Sequence, residues 1–411
     1  MHKRIIHESI VYKSTGIYSA FPILNHLDND KIAIGFSKSL ARDHTVIGEW
    51  TVLTSTDQGK TWENDKDINI PLNWPAPTIR ERSDRTTVKL SDNVFVSAGT
   101  VGFEPWDISK KSDASSQDLY IYPHPWNPDL ISVRNNTLFT NISTDGGKTW
   151  ERQEWKVPGF KILMSFARGT RLSTGEVLIP VYGTDKNGRH HNFIWRSDSY
   201  CKNWQLVKVG SFESNLSLMG EMSFLETSPG NVLGLSRNEF GYFTQTWSSD
   251  LGKTWTYPVL TEIWAPHSPP DLIKLHDGSI LCTYGYRRDP MGIKAVISQD
   301  NGQTWDIQNT AMLRKDGGYP TQSFKVDDTD FENLKISGPE FRKRLSAGIV
   351  SKAHMPETAR PDLGYALSTQ LSDNSIFSCY YITTSDRITH IACTLWAVSY
   401  KHLTLPTNRE V

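Results

Sequence analysis

Arginine, carboxylate, histidine and tyrosine side chains collect in this chain where short hairpin-like runs begin and end. Runs begin at Asp84 with Arg85, at Phe166 with Arg168, at Glu221 and at Tyr365, and His267 precedes another. Runs end at Arg237 and at Arg287 with Arg288, and Arg42, Asp43 and His44 follow the first of them. Guanidinium groups hold carboxylates through paired donors, while carboxylates, imidazoles and phenols pass protons. Brought together, such a set suits the capture of an acidic small molecule and acid/base work on it. Taken singly, each charge reads equally well as a strand cap in solvent. The set argues for a site because its members hold equivalent places in a repeat.

That repeat is Ser-x-Asp-x-Gly-x-Thr-Trp, present as STDQGKTW at Ser55, STDGGKTW at Ser143, SSDLGKTW at Ser248 and SQDNGQTW at Ser298. The Asp carboxylate can accept backbone N–H groups across a tight turn, Gly permits positive φ, and Trp covers the turn with apolar area. Each copy follows an alternating strand-like run, so each is expected to join two strands. A fifth copy, RSDSYCKNW around Asp198, keeps Asp and Trp and loses the glycine.

A second pattern of strand, polar turn and strand occurs six times, from Phe21, Asp84, Phe166, Glu221, Pro269 and Tyr365, and a box follows five of the six. An inner hairpin plus a boxed hairpin makes a four-stranded sheet. The expected fold is therefore all-β, a six-bladed β-propeller of four-stranded antiparallel blades. The last unit stops at three strands, THIACTLW being the third, and the N-terminal run RIIHESIVY supplies the fourth, closing the ring. Residues 1–397 are expected to form one propeller domain. The tail 398–411, VSYKHLTLPTNREV, matches neither pattern and is set aside as non-native or disordered. Two stretches interrupt the rhythm, Thr100 to Asn136 and Asp306 to Pro361, and loops of that length are usually lids, binding walls or disordered inserts.

Composition narrows the partners. A net charge of −1 and a pI near 6.9 argue against nucleic acid or an anionic membrane as the main partner. MHKRIIHESI lacks an export core and no stretch is apolar enough to span a bilayer, which makes a cytoplasmic location the default expectation. Cys201, Cys282, Cys379 and Cys393 show no paired spacing and are expected as buried free thiols. Phosphate loops, serine-nucleophile motifs and paired metal-ligand spacings are absent, so no metal or other cofactor is expected. The sequence leaves the oligomeric state open.

Strand direction sorts the residues by rim. In an antiparallel blade the start of the first strand and the end of the second share one rim, and the boxes occupy the other. The box aspartates are therefore read as structural. Aligning the inner turns places Glu221, Tyr365 and Asp84 in one register at the opposite rim.

The boxes, with GEMSFLETSPGNVLGLSR and DLGYALSTQLSDNSIFSCYY, resemble the sialidase (neuraminidase) superfamily of six-bladed propellers over nearly the whole chain. The resemblance implies a glycoside hydrolase exo-acting on terminal acidic sugars, with Tyr365 as nucleophile, Glu221 as the base that assists it and Asp43 as general acid. It makes Arg237 and Arg287 or Arg288 ligands of the substrate carboxylate. Asp84, Arg85, Arg42, His44 and His267 complete the expected binding surface. One departure stands out: the family's first carboxylate-binding arginine falls at Ala20. A charge-assisted hydrogen bond contributes roughly 1.5–3 kcal/mol, so its loss weakens carboxylate binding about 10- to 150-fold unless Arg42 or Arg85 substitutes.

Two alternatives accompany this reading. One is a related propeller enzyme acting on a uronate or deoxy-sugar glycan, as hydrolase or lyase, with His44, His267 or His354 as its acid/base. The other is a non-catalytic glycan-binding propeller. In all three the partner is carbohydrate.

Overall fold

The computed structural model describes residues 2–15, 17–39, 49–64, 87–100, 104–117, 119–123, 129–134, 136–165, 167–210, 220–238, 241–265, 268–319, 321 and 362–399. Their fold is all-β, and every described strand pairing is antiparallel. Two complete sheets show the plan: Met222–Ser228, Asn231–Ser236, Tyr242–Ser248 and Val259–Trp264 pair in chain order, as do Pro270–Lys274, Ile280–Tyr286, Gly292–Ser298 and Ala311–Arg314. The first sheet shows three strands, Tyr18–His26, Ile32–Ser39 and Glu49–Ser55. No described sheet closes on itself.

Second strands are apolar on both faces because a sheet lies against each side; Ile376–Thr383 is buried along its whole length. Successive sheets bury their faces on one another. Ala98 and Leu138 pack with Val181 and Trp195, Leu178 and Ile194 with Phe224 and Val232, and Leu233 and Phe243 with Leu272 and Ile280. The last sheet is held on two sides, by Leu281 and Ala295 against Tyr380 and Trp396, and by Ile34 and Phe36 against Phe377 and Tyr381.

That last sheet joins the two ends of the chain. His2–Tyr12 pairs with Thr389–Ser399, from His2 opposite Ser399 to Tyr12 opposite Ile391, and so forms the outer strand beside Ile376–Thr383 and Leu363–Gln370. The strand thus runs two residues past the expected domain limit at 397. Residues 400–411 lie outside the described residues.

Each box is a self-contained hydrogen-bonding unit. In the third, Ser248 Oγ donates to Asp250 Oδ1 at 2.7 Å, the backbone N–H groups of Lys253 and Thr254 donate to the same oxygen at 3.0 and 2.9 Å, and Thr254 Oγ1 donates to Oδ2 at 2.6 Å. Gly252 has φ 78°, and a Cβ there would sit 3.1 Å from Ile194 Cδ1 on the neighbouring sheet. The two threonine bonds recur at Asp57, Asp145 and Asp300, and in the last of these Gln303 N donates to the Asp300 carbonyl at 3.3 Å instead of to the carboxylate. In the degraded copy Cys201 takes the left-handed conformation, φ 56°, in the glycine's place, and Trp204 Nε1 still donates to its carbonyl at 3.0 Å.

Two expectations change. The interruption at 100–136 carries its own small sheet, Glu104–Asp107, Leu130–Arg134 and Tyr120–Pro123, with the helix Lys111–Ser116 and a core of Ala114, Ile131 and Val133. An inner strand running on from Phe166 is not what forms. Phe160–Ser165 and Thr170–Arg171 pair with opposite ends of Val177–Asp185, and Ala167, at φ 140°, lies in the break with Arg168. Phe166 itself falls outside the described residues. All four cysteines are buried free thiols.

Candidate active site

Glu221 sits immediately before the strand Met222–Ser228, and Arg237 immediately after its partner Asn231–Ser236. Arg237 N donates to Glu221 O at 3.0 Å, and Gly220 N donates to Arg237 O at 3.0 Å. The hairpin register therefore puts these two side chains across from each other. Arg237 Nη1 donates to Glu221 Oε2 at 2.9 Å, with the arginine side chain 25% exposed and the glutamate 8%.

Tyr365 arrives from the far end of the chain. Its Oη donates to Glu221 Oε1 at 2.7 Å, across a separation of 144 residues. One carboxylate thus holds a guanidinium on one oxygen and a phenol on the other. The strand that carries Tyr365 is irregular at this point: φ of Tyr365 is 51° and the register with Ile376–Thr383 breaks between Gly364 and Leu367. A bulge of this kind re-aims a side chain that regular pleating would have sent elsewhere. A non-glycine residue held in this region is strained, and packing retains it: the Phe21 ring meets the Tyr365 ring edge-on at 4.8 Å, with Tyr381 at 5.9 Å. Phe21 is itself bulged, with φ 57° and a register break between Ala20 and Ile23.

Electrostatics follow from this enclosure. Burial raises the Tyr365 phenol above its ordinary pKa, and the negative charge of Glu221 pushes it further, while Arg237 and Arg287 pull it back. Burial pulls the Arg237 guanidinium down, but Glu221 and Tyr365 more than reverse that and leave it above its ordinary value. Tyr365 therefore rests neutral beside a carboxylate.

Arg287 lies against the same strand. Its Nε and Nη2 donate to Leu363 O at 3.0 and 2.8 Å, and Nη2 reaches the Tyr381 hydroxyl at 3.5 Å. The next residue, Gly364, has φ 128°, a conformation that favours glycine, and a Cβ there would lie 3.1 Å from Ser268 Oγ. Arg288 is exposed and donates to the Arg287 carbonyl. Arg168 takes another place: Nη2 donates to Asp271 Oδ2 at 3.3 Å and to Ser368 O at 3.1 Å. Asp271, 3% exposed, also accepts from Ser368 N at 2.8 Å, so this pair ties three sheets together. Ala20 is buried and pairs with Ser37. Arg42, Asp43, His44, Asp84, Arg85, His267 and His354 lie outside the described residues.

Sequence reasoning missed two contributors. Tyr182, in the second half of the strand Val177–Asp185, packs against the apolar cluster that contains Tyr365, and its pKa is raised by burial and then by the charges of Glu221 and Tyr365. Its hydroxyl donates to Met164 Sδ at 3.6 Å. Arg134, on the inserted sheet and 5% exposed, is close enough to act on the same phenol in the opposite sense. The signal for Tyr182 was its place toward the end of a second strand, as with Arg237. Arg134 had none, because the insertion follows no repeat.

Residues 120–373 match the BNR repeat-like domain, and residues 53–64 match the BNR/Asp-box repeat. A sialidase of Bacteroides fragilis (strain YCH46) is 23% identical over 314 residues, 70% of this chain and 53% of that protein, so the chain spans about half the length of the curated relative it matches. A crystal structure of a Dyadobacter fermentans DSM 18053 protein of unknown function is similar with a TM-score of 0.67 at 20% identity, covering 97% of this chain and 99% of that one. Trypanosoma rangeli sialidase in complex with the inhibitor DANA is similar with a TM-score of 0.52 at 14% identity, covering 92% and 55%. These structural likenesses carry the propeller fold. With the domain match extending over more than half of its length and four intact Asp boxes at the expected turns, the chain belongs to the BNR repeat-like family of the sialidase superfamily.

Proposed function

We propose that this protein is a retaining exo-glycosidase acting on terminal acidic sugars, of sialidase type, built on a single propeller of six blades that closes through its N-terminal strand. The observation that supports it best is the shared carboxylate: Tyr365 Oη at 2.7 Å from Glu221 Oε1 and Arg237 Nη1 at 2.9 Å from Oε2. A sugar bearing a carboxylate on its anomeric carbon repels an anionic nucleophile, and a neutral phenol avoids that repulsion. Glu221 takes the phenolic proton as Tyr365 Oη bonds to the anomeric carbon and the glycosidic C–O bond breaks. The leaving oxygen receives a proton from Asp43. Water then attacks the tyrosyl-linked sugar, its proton passing to the same acid, and Tyr365 recovers its own from Glu221.

Arg237 and Arg287 hold the substrate carboxylate, and their positive charge offsets part of the cost of ionising a buried tyrosine. Arg134 is a third arginine whose charge reaches this cluster. The test is turnover of an aryl sialoside. Wild type releases the aglycone and Tyr365→Phe loses nearly all of that rate; a folded wild type without turnover overturns the sialidase reading.

Ala20 favours a second reading. Its small side chain leaves the place of one carboxylate-binding arginine to an aliphatic group. An acidic sugar with its carboxylate elsewhere on the ring, such as a uronate, suits that departure better. Turnover of an aryl uronide in preference to the sialoside identifies this case.

A further inference from the structure

The Asp-box rim carries a feature that no repeat requires. Two departures from the box pattern, on neighbouring sheets, meet at one cavity. Where three boxes have lysine (Lys60, Lys148 and Lys253), the fourth has Gln303. Where the residue before the box serine is Thr54, Ile142 or Ile297, the third box has Trp247. Gln303 and Trp247 both line a cavity of about 490 Å³, together with Trp255, Asn231 and Asn301.

That volume lies within the range of roughly 300–1,000 Å³ typical of small-ligand sites. The lining is indole, amide and hydroxyl, and none of its residues is charged. The adjacent box aspartates are engaged within their own turns: Thr254 Oγ1 and Thr304 Oγ1 donate to Asp250 and Asp300, at 2.6 and 2.5 Å. Trp255 Nε1 is likewise engaged, with Gly252 O at 3.1 Å, so this indole serves as a ring surface and not as a donor.

We infer that this cavity is a binding site for a neutral sugar unit, separate from the catalytic rim. A pyranose ring presents an apolar C–H face to an indole and equatorial hydroxyls at its edge to amides. An uncharged lining disfavours acidic sugars, the opposite selectivity to the arginines around Glu221. The strand Met222–Ser228 separates Glu221 from the Ser228 end of the cavity by roughly 20 Å at about 3.3 Å per residue, so occupancy of one site leaves the other open. This site stands whether or not the proposed hydrolysis does.

Isothermal titration of the full chain with lactose and with cellobiose tests the inference, with glucuronate as the charged control. Saturable millimolar binding of at least one disaccharide is expected, with none of glucuronate at this site. Gln303→Lys, which only restores the residue of the other boxes, should weaken binding about tenfold, as should Trp247→Ala through loss of its ring surface. Tyr365→Phe should bind the disaccharide as wild type does. The inference fails if neither disaccharide binds, if folded Gln303→Lys binds as wild type, or if Tyr365→Phe abolishes binding and so moves the sugar to the other rim.

Discussion

The two rims of this fold use carboxylates in opposite ways. At the box rim, Asp250 draws its partners from within four residues of itself, and the pattern is stamped out repeatedly along the chain. At the other rim, Glu221 is held by Arg237 across a hairpin and by Tyr365 from 144 residues away. A carboxylate satisfied by its own turn does structural work wherever that turn is copied. One satisfied only when distant sheets assemble can be used once, and its partners include a phenol able to give up a proton. The difference lies in where the partners come from and what they can do, since both groups are acidic side chains at strand ends.

The strongest way to break this comparison is to remove the exchangeable proton. Tyr365→Phe should lower kcat on an aryl acidic glycoside roughly 10³-fold or more, and Glu221→Gln roughly 10²- to 10⁴-fold, with melting temperatures near wild type. An Asp250→Asn variant measured beside them should keep its turnover. Loss of rate there, in a folded protein, would erase the distinction between the rims.

Acid should separate the rims by pH window. His390, on the last sheet near the rim that carries Tyr365, is 1% exposed, and burial lowers its pKa to about 4, with Nδ1 facing the Ile388 carbonyl at 2.9 Å. Below its ordinary pKa of 6.5 the unfolded chain takes up a proton that the folded chain refuses, so stability present above 6.5 is lost as pH falls toward 4. At about 1.4 kcal/mol per pH unit the loss is about 3 kcal/mol, and His390→Gln should flatten it in urea titrations between those pH values.

Arg237 probes binding against chemistry. Arg237→Ala should raise KM for an acidic substrate about 10- to 150-fold, and Arg237→Lys should recover part of it, since a point charge replaces a fork. A pure fall in kcat with KM unchanged would assign Arg237 to holding Glu221 alone.

The smallest effect is expected at the boxes. Burial opposes ionisation of Asp250, but hydrogen bonds from Thr254, Ser248 and Lys253 overcome it and hold the pKa at about 2. This stability is present above the ordinary value of 3.8 and is lost as pH falls through about 2. Asp250→Asn should therefore lower the melting temperature by a few degrees at neutral pH, with the difference vanishing at the acid end.

Much of this contrast was legible in the sequence because it is periodic. The boxes announce turns through residues that need no outside help, and their spacing fixes strand direction and hence which ends share a rim. Glu221, Arg237 and Tyr365 could be placed together on that register alone. What periodicity does not encode was invisible. The bulges that turn Phe21 and Tyr365 depend on packing between the first and last sheets. Arg168 belongs to the same rim by register, yet it is taken by the buried Asp271, whose raised pKa reflects desolvation that no local pattern reports. Tyr182 and Arg134 reach the site through the later half of a second strand and an insertion, and neither follows from a box.

The pairing of His2–Tyr12 with Thr389–Ser399 also sets a timetable for the protein's assembly. As the ribosome releases the chain in order, His2–Tyr12 emerges with its partner still unmade, and it must wait while the sequence between them is synthesised. During that interval it carries an unpaired edge, the state most open to mispairing. The sheet that positions Tyr365 is therefore complete only once Thr389–Ser399 has been made, although its outer strand precedes it by most of the fold, and each newly synthesised molecule holds Tyr365 in an unfinished sheet until these two strands meet.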